Sequence, residues 1–254
     1  MLGIERRRET MNILQKQKSV WVSDLSKRFG VTEETIRRDL EKLEREGLIK
    51  RTYGGAVLNE NIGIDLPFNV REITNIGAKQ KIASKVAGLI EDGDTLMLDS
   101  SSTVLQLAKH IRQKSNITVI TNSVSMLLEL SNGENIRVIS TGGDLRRSSL
   151  SFVGSLAERA IENYYVDKAI ISCKAIHMAN GILESNELEA HIKKLMVERA
   201  QKAYLLLDST KFGKMSFVNI TGFENIDGIF TEAKLSEEWE QFCRDNDIEL
   251  IYSD

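Results

Sequence analysis

Apolar residues between positions 32 and 47 recur at the spacing of one helical face. Ile36, Leu40 and Leu43 fall at i, i+4 and i+7, which is the period of an α-helix that is buried along one side. Thr32 stands where its hydroxyl can cap this helix, and Gly47 ends the pattern. We therefore predict a helix that is buried on one side and offers charged side chains to a partner on the other.

The segments on either side of this helix complete the arrangement. We predict a shorter helix over residues 24–28, capped by Ser23 and closed by Gly30 in the left-handed conformation. After the long helix, residues 48–53 form a predicted strand and Gly54-Gly55 a tight turn. Together these elements indicate a winged helix-turn-helix, which places its long helix in the major groove of double-stranded DNA. A solvated helical hairpin with ordinary surface arginines is the alternative.

Polar and basic side chains of this segment are the candidate DNA contacts. Arg37 and Arg38 lie away from the predicted buried face, and the sequence leaves open whether each meets a phosphate or a base edge. The strand and turn carry further basic groups toward phosphates. The full set of candidates is Ser23, Thr32, Glu34, Thr35, Arg37, Arg38, Lys42, Lys50, Arg51 and Tyr53.

Beyond residue 95, short apolar runs alternate with longer helical segments. The predicted strands are 95–98, 117–120, 137–140, 169–171, 204–207, 227–230 and 249–252. Continuous apolar strands separated by helices are typical of a parallel sheet covered on both faces. A polar stretch around Pro67 breaks the pattern between the two regions. We expect a winged helix-turn-helix domain at 1–57, a linker at 58–70 and a larger α/β domain with a mainly parallel sheet at 71–254.

Charge divides the chain in the same way. The net charge is −3, yet residues 1–58 hold 13 Lys and Arg against 9 Asp and Glu, and the remainder holds 21 against 28. A basic head on an acidic body is expected when only the head meets phosphate, and Arg6-Arg7-Arg8 adds to that charge.

The remaining composition excludes several classes of protein. Cys173, Cys243 and the three histidines show no metal-ligand spacing, so we expect no metal and no cofactor. No signal peptide is evident, and no apolar run approaches the roughly 18 residues of a membrane span. A cytoplasmic protein without a membrane partner is therefore expected.

Small polar residues follow five of the predicted strands. In open α/β sheets ligands bind beyond the carboxyl ends of the strands, where hydroxyls and backbone N–H groups receive anions. We predict a pocket for a small phosphorylated polyol, with Asp99 and Asp208 accepting hydrogen bonds from hydroxyls and Lys211 pairing with phosphate. The candidates are Asp99, Ser100, Ser101, Ser102, Thr103, Thr121, Asn122, Gly142, Gly143, Lys174, Asp208 and Lys211. For any one of these segments taken alone, the alternative is that its small polar residues simply cap the following helix. We call the segment that follows a strand the exit of that strand.

These motifs together resemble the DeoR family of bacterial transcriptional regulators. The resemblance covers nearly the whole chain and is carried chiefly by Thr35-Ile36-Arg37-Arg38-Asp39-Leu40, Tyr53-Gly54-Gly55-Ala56 and Asp208-Ser209-Thr210-Lys211-Phe212-Gly213. It implies a repressor of a carbohydrate uptake or catabolism operon that a phosphorylated sugar intermediate releases from DNA. It also implies a sensor domain similar to sugar-phosphate isomerases. The residues that match the family's effector site are Ser101, Ser102, Thr103, Asn122, Gly142, Gly143 and Lys211.

One segment departs from the family pattern. Many members have a Gly-Ala-Asp-Gly-Ile-like run after the fourth strand, where this chain has Ser172-Cys173-Lys174-Ala175-Ile176. Lys174 adds a cation near the proposed phosphate, which favours a more anionic effector such as a sugar-acid phosphate or a bisphosphate. The change also removes a carboxylate that an isomerase needs as its base.

Two further expectations concern activity and assembly. A sugar-phosphate isomerase that carries a DNA-binding domain is the alternative function, with Asp99, Glu184 and Glu187 as its available carboxylates. A single small winged helix seldom gives adequate specificity by itself, so paired half-sites and a homo-oligomer, either a dimer or a tetramer, are expected.

Overall fold

The chain forms two compact units. A computed structural model describes residues 1–45, 47–58 and 66–253, and its internal contacts divide the chain into Met1–Asn75 and Ile76–Asp254. Residues 59–65 of the predicted linker lie outside the described residues. Part of the remaining predicted linker belongs to a helix, because Phe68–Ile73 is helical and Val70 packs against the core of the first unit.

The first unit combines helices with a small antiparallel sheet. Its elements are α1 (Gly3–Gln17), β1 (Ser19–Trp21), α2 (Val22–Phe29), α3 (Glu33–Arg45), β2 (Ile49–Thr52), β3 (Gly55–Leu58) and α4 (Phe68–Ile73). The strands lie in the order β1-β3-β2, with both pairs antiparallel. The predicted wing is the hairpin of β2 and β3, although Gly55 already belongs to β3 and the turn itself lies at Tyr53-Gly54.

Local sequence signals set the ends of α2 and α3. Gly30 closes α2 with a φ of 63°, and Thr32 Oγ1 accepts the N–H of Thr35 at 3.3 Å, so the predicted cap of α3 is confirmed. The prediction that Ser23 caps α2 is wrong. That helix begins one residue earlier, at Val22, and Trp21 occupies the cap position.

A buried ion pair joins α1 to α3. Ile36, Leu40 and Leu43 are buried in the core of the first unit as predicted, but the carboxylate of Asp39 is buried beside them. Arg6 Nε donates to Asp39 Oδ2 at 2.5 Å, and Arg7 Nη1 lies 3.4 Å from Oδ1. Arg6, one of the three arginines expected to add to the positive charge of the head, is therefore buried and paired with a carboxylate rather than exposed.

The second unit is an α/β fold. Its strands are β4 (Thr95–Leu98), β5 (Ile117–Thr121), β6 (Ile136–Ser140), β7 (Asp144–Arg146), β8 (Ser151–Val153), β9 (Val166–Ile171), β10 (Ala175–His177), β11 (Gly181–Glu184), β12 (Ala200–Leu206), β13 (Val218–Thr221), β14 (Gly228–Thr231) and β15 (Glu249–Tyr252). Its helices are α5 (Ile76–Val86), α6 (Ala108–Ile111), α7 (Val124–Leu130), α8 (Ser155–Glu162), α9 (Glu187–Glu198) and α10 (Glu237–Asp245). Short 3₁₀ turns lie at Ala87–Leu89, Val104–Leu107, Ser209–Lys211 and Phe223–Asn225.

Seven strands build one parallel sheet in the order β15-β14-β12-β9-β4-β5-β6. Leu96, Met97 and Leu98 are consecutive and all fully buried. Since successive side chains of a strand point to opposite faces, both faces of the sheet are covered. The predicted parallel α/β fold is confirmed, and each of the seven predicted strands overlaps one strand of this sheet.

Two small antiparallel additions were not predicted from the sequence. The hairpin of β7 and β8 follows β6, and a three-stranded sheet has the order β10-β11-β13. The hairpin lies beside the carboxyl end of β5, where the N–H of Phe152 donates to the carbonyl of Asn122 at 2.7 Å. It therefore adds side chains to the edge of the sheet at which the strand exits meet.

Candidate ligand site and nucleic-acid interface

The exposed face of α3 carries arginines that are already paired with carboxylates. Arg37 Nη2 lies 2.7 Å from Glu33 Oε2, and Arg38 Nε lies 3.2 Å from Glu34 Oε1. Both pairs join residues four apart on the solvent side, where such pairs contribute only about 0.3–0.5 kcal/mol. The arginines can therefore turn from their carboxylates to a phosphate or a base at little cost.

The wing adds a second group of exposed side chains. Tyr53 stands fully exposed at its tip, and the ring of Trp21 lies under the turn, 3.6 Å from where a Cβ on Gly54 would be. Arg51 bonds to Glu44 through both its backbone N–H (3.0 Å) and its Nε (2.7 Å), which holds the pKa of that carboxylate below its ordinary value. Of the ten candidate DNA contacts, nine are exposed and Thr35 is half-buried.

A buried lysine lies at the centre of the sheet edge in the second unit. Lys193 of α9 is only 4% exposed, and its Nζ lies 2.6 Å from Asp99 Oδ2 and 3.2 Å from Glu184 Oε2. Burial by itself would lower the pKa of this lysine, but the charges of Asp99, Glu184 and Glu189 outweigh burial and raise it. The ammonium group therefore stays charged and holds its carboxylates in place.

Asp99 ties two strand exits together. Its Oδ1 accepts the N–H of Ser101 at 2.9 Å, and its Oδ2 accepts the N–H of Ser172 at 3.0 Å in addition to the Lys193 ammonium. Three protein donors thus share its two oxygens. This geometry favours a role in holding the exits of β4 and β9 over the predicted role of accepting a ligand hydroxyl.

A second buried carboxylate gathers hydroxyl groups. Glu189 Oε2 accepts the Ser100 hydroxyl at 3.0 Å, and its Oε1 accepts the hydroxyls of Ser149 (2.6 Å) and Ser151. Arg146 Nη1 donates to Ser149 Oγ at 2.9 Å and lies 3.9 Å from Glu189 Oε1. The β7–β8 hairpin therefore supplies part of the same polar cluster as the exit of β4.

Asn122 offers an acceptor that the described residues leave unused. Its Nδ2 donates to the Phe152 carbonyl at 3.1 Å, while its Oδ1 is buried and has no hydrogen-bond partner within the described part of the chain. A buried polar atom without a partner is costly in a folded protein and often marks a functional position. By contrast, Thr121 Oγ1 donates to the Leu98 carbonyl at 2.6 Å.

The exit of β12 meets two lysines and two carboxylates, since the N–H and the hydroxyl of Ser209 donate to Glu232 at 3.0 and 2.8 Å. Lys211 Nζ donates to Ser172 Oγ (3.1 Å) and to the Cys173 carbonyl (2.7 Å). Burial by itself would raise the pKa of Asp208, but the charge of Lys211, the hydroxyl of Thr210 and the charge of Lys79 lower it. Lys79 Nζ in turn donates to Ser102 Oγ at 3.0 Å.

Several residues that follow the strands have mainly structural roles, in line with the alternative that they cap helices or form turns. The Oγ atom of Ser101 accepts the N–H of Val104 at 3.1 Å. Gly142 and Gly143 have positive φ angles of 62° and 109° as the chain enters β7, and a Cβ on Gly143 would lie 2.7 Å from the Val153 carbonyl.

The structure places the other two candidates as follows. Thr103 is buried at the exit of β4. Lys174 is half-buried between β9 and β10, and its N–H donates to the Leu183 carbonyl at 3.0 Å.

The cluster contains residues that sequence reasoning did not select for the site. Lys79 and Lys193 come from helices, and Arg146, Ser149 and Ser151 come from the unpredicted hairpin. A signal was present for the lysines, because Lys79 and Lys193 stand on the apolar stripes of α5 and α9 rather than on their polar faces. No group of three or more potential metal ligands occurs among the described residues.

The two units define a DNA-binding regulator with a separate α/β sensor unit. Residues 6–61 match the DeoR-like helix-turn-helix domain, and residues 74–233 match the DeoR C-terminal sensor domain. The chain belongs to the DeoR family of transcriptional regulators. No helix in the described ranges is both long enough and apolar enough to cross a membrane.

Curated relatives align over almost their whole length. The chain is 45% identical to the uncharacterized HTH-type transcriptional regulator YulB of Bacillus subtilis, over 92% of this chain and 91% of the relative. It is 35% identical to the L-fucose operon activator of Haemophilus influenzae, over 94% and 95%. It is 29% identical to the glycerol-3-phosphate regulon repressor of Escherichia coli, over 98% and 99%. These relatives are named as regulators rather than as enzymes, so the isomerase alternative is set aside.

Proposed function

We propose that this chain represses an operon for carbohydrate uptake or catabolism and leaves its operator when a phosphorylated sugar or sugar-acid binds the second unit. The observation that carries the proposal is the buried polar cluster at the carboxyl edge of the parallel sheet. Four strand exits and one hairpin contribute to it, and such an edge is the usual ligand site of an open α/β sheet.

The chemistry of the cluster suits a ligand that has both hydroxyls and an anionic group. Asn122 Oδ1 is an unused acceptor for a ligand hydroxyl, and Ser100 and Ser102 are exit hydroxyls with a buried carboxylate and a buried ammonium beside them. Lys211 supplies positive charge at the exit of β12, and Lys174 adds more beyond β9. The glycerol-3-phosphate regulon repressor among the relatives supports a phosphorylated effector, and the L-fucose operon activator supports a sugar.

We propose that α3 enters the major groove and that the wing contacts phosphates. In this arrangement Arg37, Arg38 and Thr35 would meet base edges or phosphates, and Lys50, Arg51 and Tyr53 would meet the DNA backbone. A homo-oligomer would present two such heads to paired half-sites. Replacing Arg38 with Ala should weaken operator binding without unfolding the head, because its side chain is exposed.

The direct test is fluorescence anisotropy with labelled DNA taken from upstream of the chain's own gene, titrated with the full chain at fixed salt. A panel of phosphorylated sugars and sugar acids is then added beside their unphosphorylated forms. We expect one phosphorylated compound to release the DNA while its unphosphorylated form does not. Tight DNA binding that no compound alters would overturn the effector assignment, and tighter binding with the compound would reverse the sign of regulation.

A further inference from the structure

Trp21 is a large apolar side chain that stands exposed on the head. It lies at the end of β1 and is 58% exposed. It also occupies the N-cap position of α2, where its side chain makes no hydrogen bond to the helix, although Ser, Thr, Asp and Asn are the residues that cap helices well. Neither helix capping nor burial in the core therefore explains an indole at this position, and Trp side chains are enriched at interfaces.

The backbone fixes this ring beside the turn of the wing. Trp21 is paired with Gly55 in the antiparallel ladder of β1 and β3, and the N–H of Val22 donates to the Gly54 carbonyl at 2.8 Å. A Cβ on Gly55 would lie 2.1 Å from the Val20 carbonyl oxygen, so the two strands approach more closely than a residue with a side chain allows. The position of Trp21 is therefore set by the same hairpin that forms the wing.

The orientation of the ring leaves its hydrogen-bond donor on the side away from the turn of the wing. A Cβ on Gly54 would lie 3.6 Å from both Cε3 and Cζ3 of Trp21. These two atoms belong to the edge of the indole that is remote from Nε1, so the N–H lies on the other side of the ring from this contact. The indole N–H is a donor only, and the phosphate oxygens of DNA, which accept a large share of protein–DNA hydrogen bonds, match it.

The charges around Trp21 balance one another. The groove beside the ring is lined by Asp24, Lys27 and Arg28 among others, and Arg28 Nη2 lies 3.4 Å from Glu9 Oε1. These four charged groups cancel, so cations at this surface are not what would hold a phosphate. A contact made by the indole is that of a neutral donor, which releases no counterion from DNA.

We propose that Trp21 contacts the DNA backbone between the wing and α2, with its Nε1–H donating to a phosphate oxygen and the opposite edge of the ring packed under Gly54. Trp21 continues the proposed DNA surface, because Tyr53, which is fully exposed at the tip of the wing, directly precedes that turn glycine. This inference rests on the proposed docking of the head on DNA and adds a residue outside the ten candidate contacts. A phosphate contact carries no base information, so the contribution of Trp21 is the same for matched and unmatched DNA.

The first experiment follows the exposure of the indole in the full chain. Trp21 and Trp239 are the two tryptophans, and since Trp239 is only 7% exposed, acrylamide quenches mainly Trp21. Quenching is measured with and without a saturating duplex taken from upstream of the chain's own gene, with saturation established by anisotropy. The same DNA at a salt concentration that prevents binding corrects for its absorption. We expect the bound duplex to protect most of the quenchable fluorescence.

The second experiment compares variants that differ in the donor. Trp21→Phe keeps an aromatic ring under the wing and removes the N–H, and we expect it to bind the upstream duplex and an unrelated duplex both about 3- to 10-fold more weakly. Its plot of log affinity against log salt should keep the slope of wild type, whereas the loss of one cation–phosphate contact would lower that slope by about 0.9. Ile4→Ser, which removes a side chain that is 66% exposed on α1 of the same unit, should bind both duplexes as wild type does.

A third variant separates folding from DNA binding. Trp21→Ser places a preferred capping residue at the start of α2, so it should keep the calorimetric midpoint of the head while binding DNA at least as weakly as Trp21→Phe. Wild-type affinity in a folded Trp21→Phe or Trp21→Ser, undiminished quenching in the bound state, or a lower salt slope for Trp21→Phe would each overturn the inference and leave the DNA-binding function intact. A full chain that binds neither duplex overturns both.

Discussion

The buried ion pair between α1 and α3 predicts a large and specific loss of stability when Asp39 is replaced by Ala. The side chains of Arg6 and Asp39 are 9% and 7% exposed, and the two charged groups approach to 2.5 Å. Removing the carboxylate leaves the Arg6 guanidinium buried without its partner. Breaking a buried pair in this way costs about 3–5 kcal/mol.

The expected loss of unfolding free energy corresponds to a lower unfolding temperature, by an amount that depends on the size of the first unit. For a domain of this length each kcal/mol moves the unfolding midpoint by about 4–8 °C. Asp39→Ala should therefore lower the midpoint of the head by at least about 12 °C, measured by scanning calorimetry of the full chain. The transition of the second unit should stay in place, because the ion pair lies wholly within the first.

Two further variants make the reasoning refutable. Glu41→Ala removes an exposed partner of Arg45 and should cost no more than about 0.5 kcal/mol. Replacing both members of the buried pair, as Arg6→Met with Asp39→Leu, should recover most of the stability, because no buried charge is left alone. A loss below about 1 kcal/mol for Asp39→Ala, or a double variant as unstable as the sum of its singles, would refute the argument.

Three other predictions concern single side chains. Lys193→Met leaves the buried carboxylates of Asp99 and Glu184 facing each other and should destabilise the second unit by about 3–5 kcal/mol. Lys194→Met, on the exposed side of α9, should cost under about 0.5 kcal/mol. Urea unfolding followed by Trp239 fluorescence compares the two variants. Gly55→Ala puts a Cβ 2.1 Å from the Val20 carbonyl oxygen and should destabilise the head by about 1–3 kcal/mol or more, seen as a lower calorimetric midpoint. Because the pKa of Asp208 is lowered in the folded state, its ionised carboxylate stabilises the second unit at pH values above its ordinary pKa of 3.8. This stabilisation is lost as the pH falls through the lower folded pKa. The stability of the Asp208→Asn variant should therefore depend less on pH below about pH 4.

The sheet was predictable because its strands are continuous apolar runs. Residues 95–98 show the principle, since a strand that is buried on both faces needs no alternation of polar and apolar positions. The β7–β8 hairpin was not predicted from the sequence, because its strands are not continuous apolar runs. Each of its strands has three residues and includes charged or hydroxyl groups, and its place is set by pairing with the exit of β5 rather than by its own pattern.

The ligand site was only partly predictable for a related reason. Strand exits follow the strands in sequence, so Asp99, Asn122 and Asp208 could be selected once the strands were known. Lys79 and Lys193 lie on helices, where a charged residue usually faces solvent, and their burial depends on carboxylates and hydroxyls distant in sequence. Their helical register with buried apolar residues was the available signal.

The charge of α3 has a consequence for how this regulator is distributed in a cell. From Glu33 to Arg45 the helix carries four cations and five carboxylates, and one of these carboxylates, Asp39, is buried against Arg6. The remaining four cations and four carboxylates leave the helix without a net positive charge for binding arbitrary DNA. A genome offers about 10⁶–10⁹ competing sites, and a strongly cationic reading helix would be held by most of them. Because Arg37, Arg38 and Arg45 are each paired with a glutamate of the same helix, we expect this helix by itself to contribute little to binding of unmatched DNA.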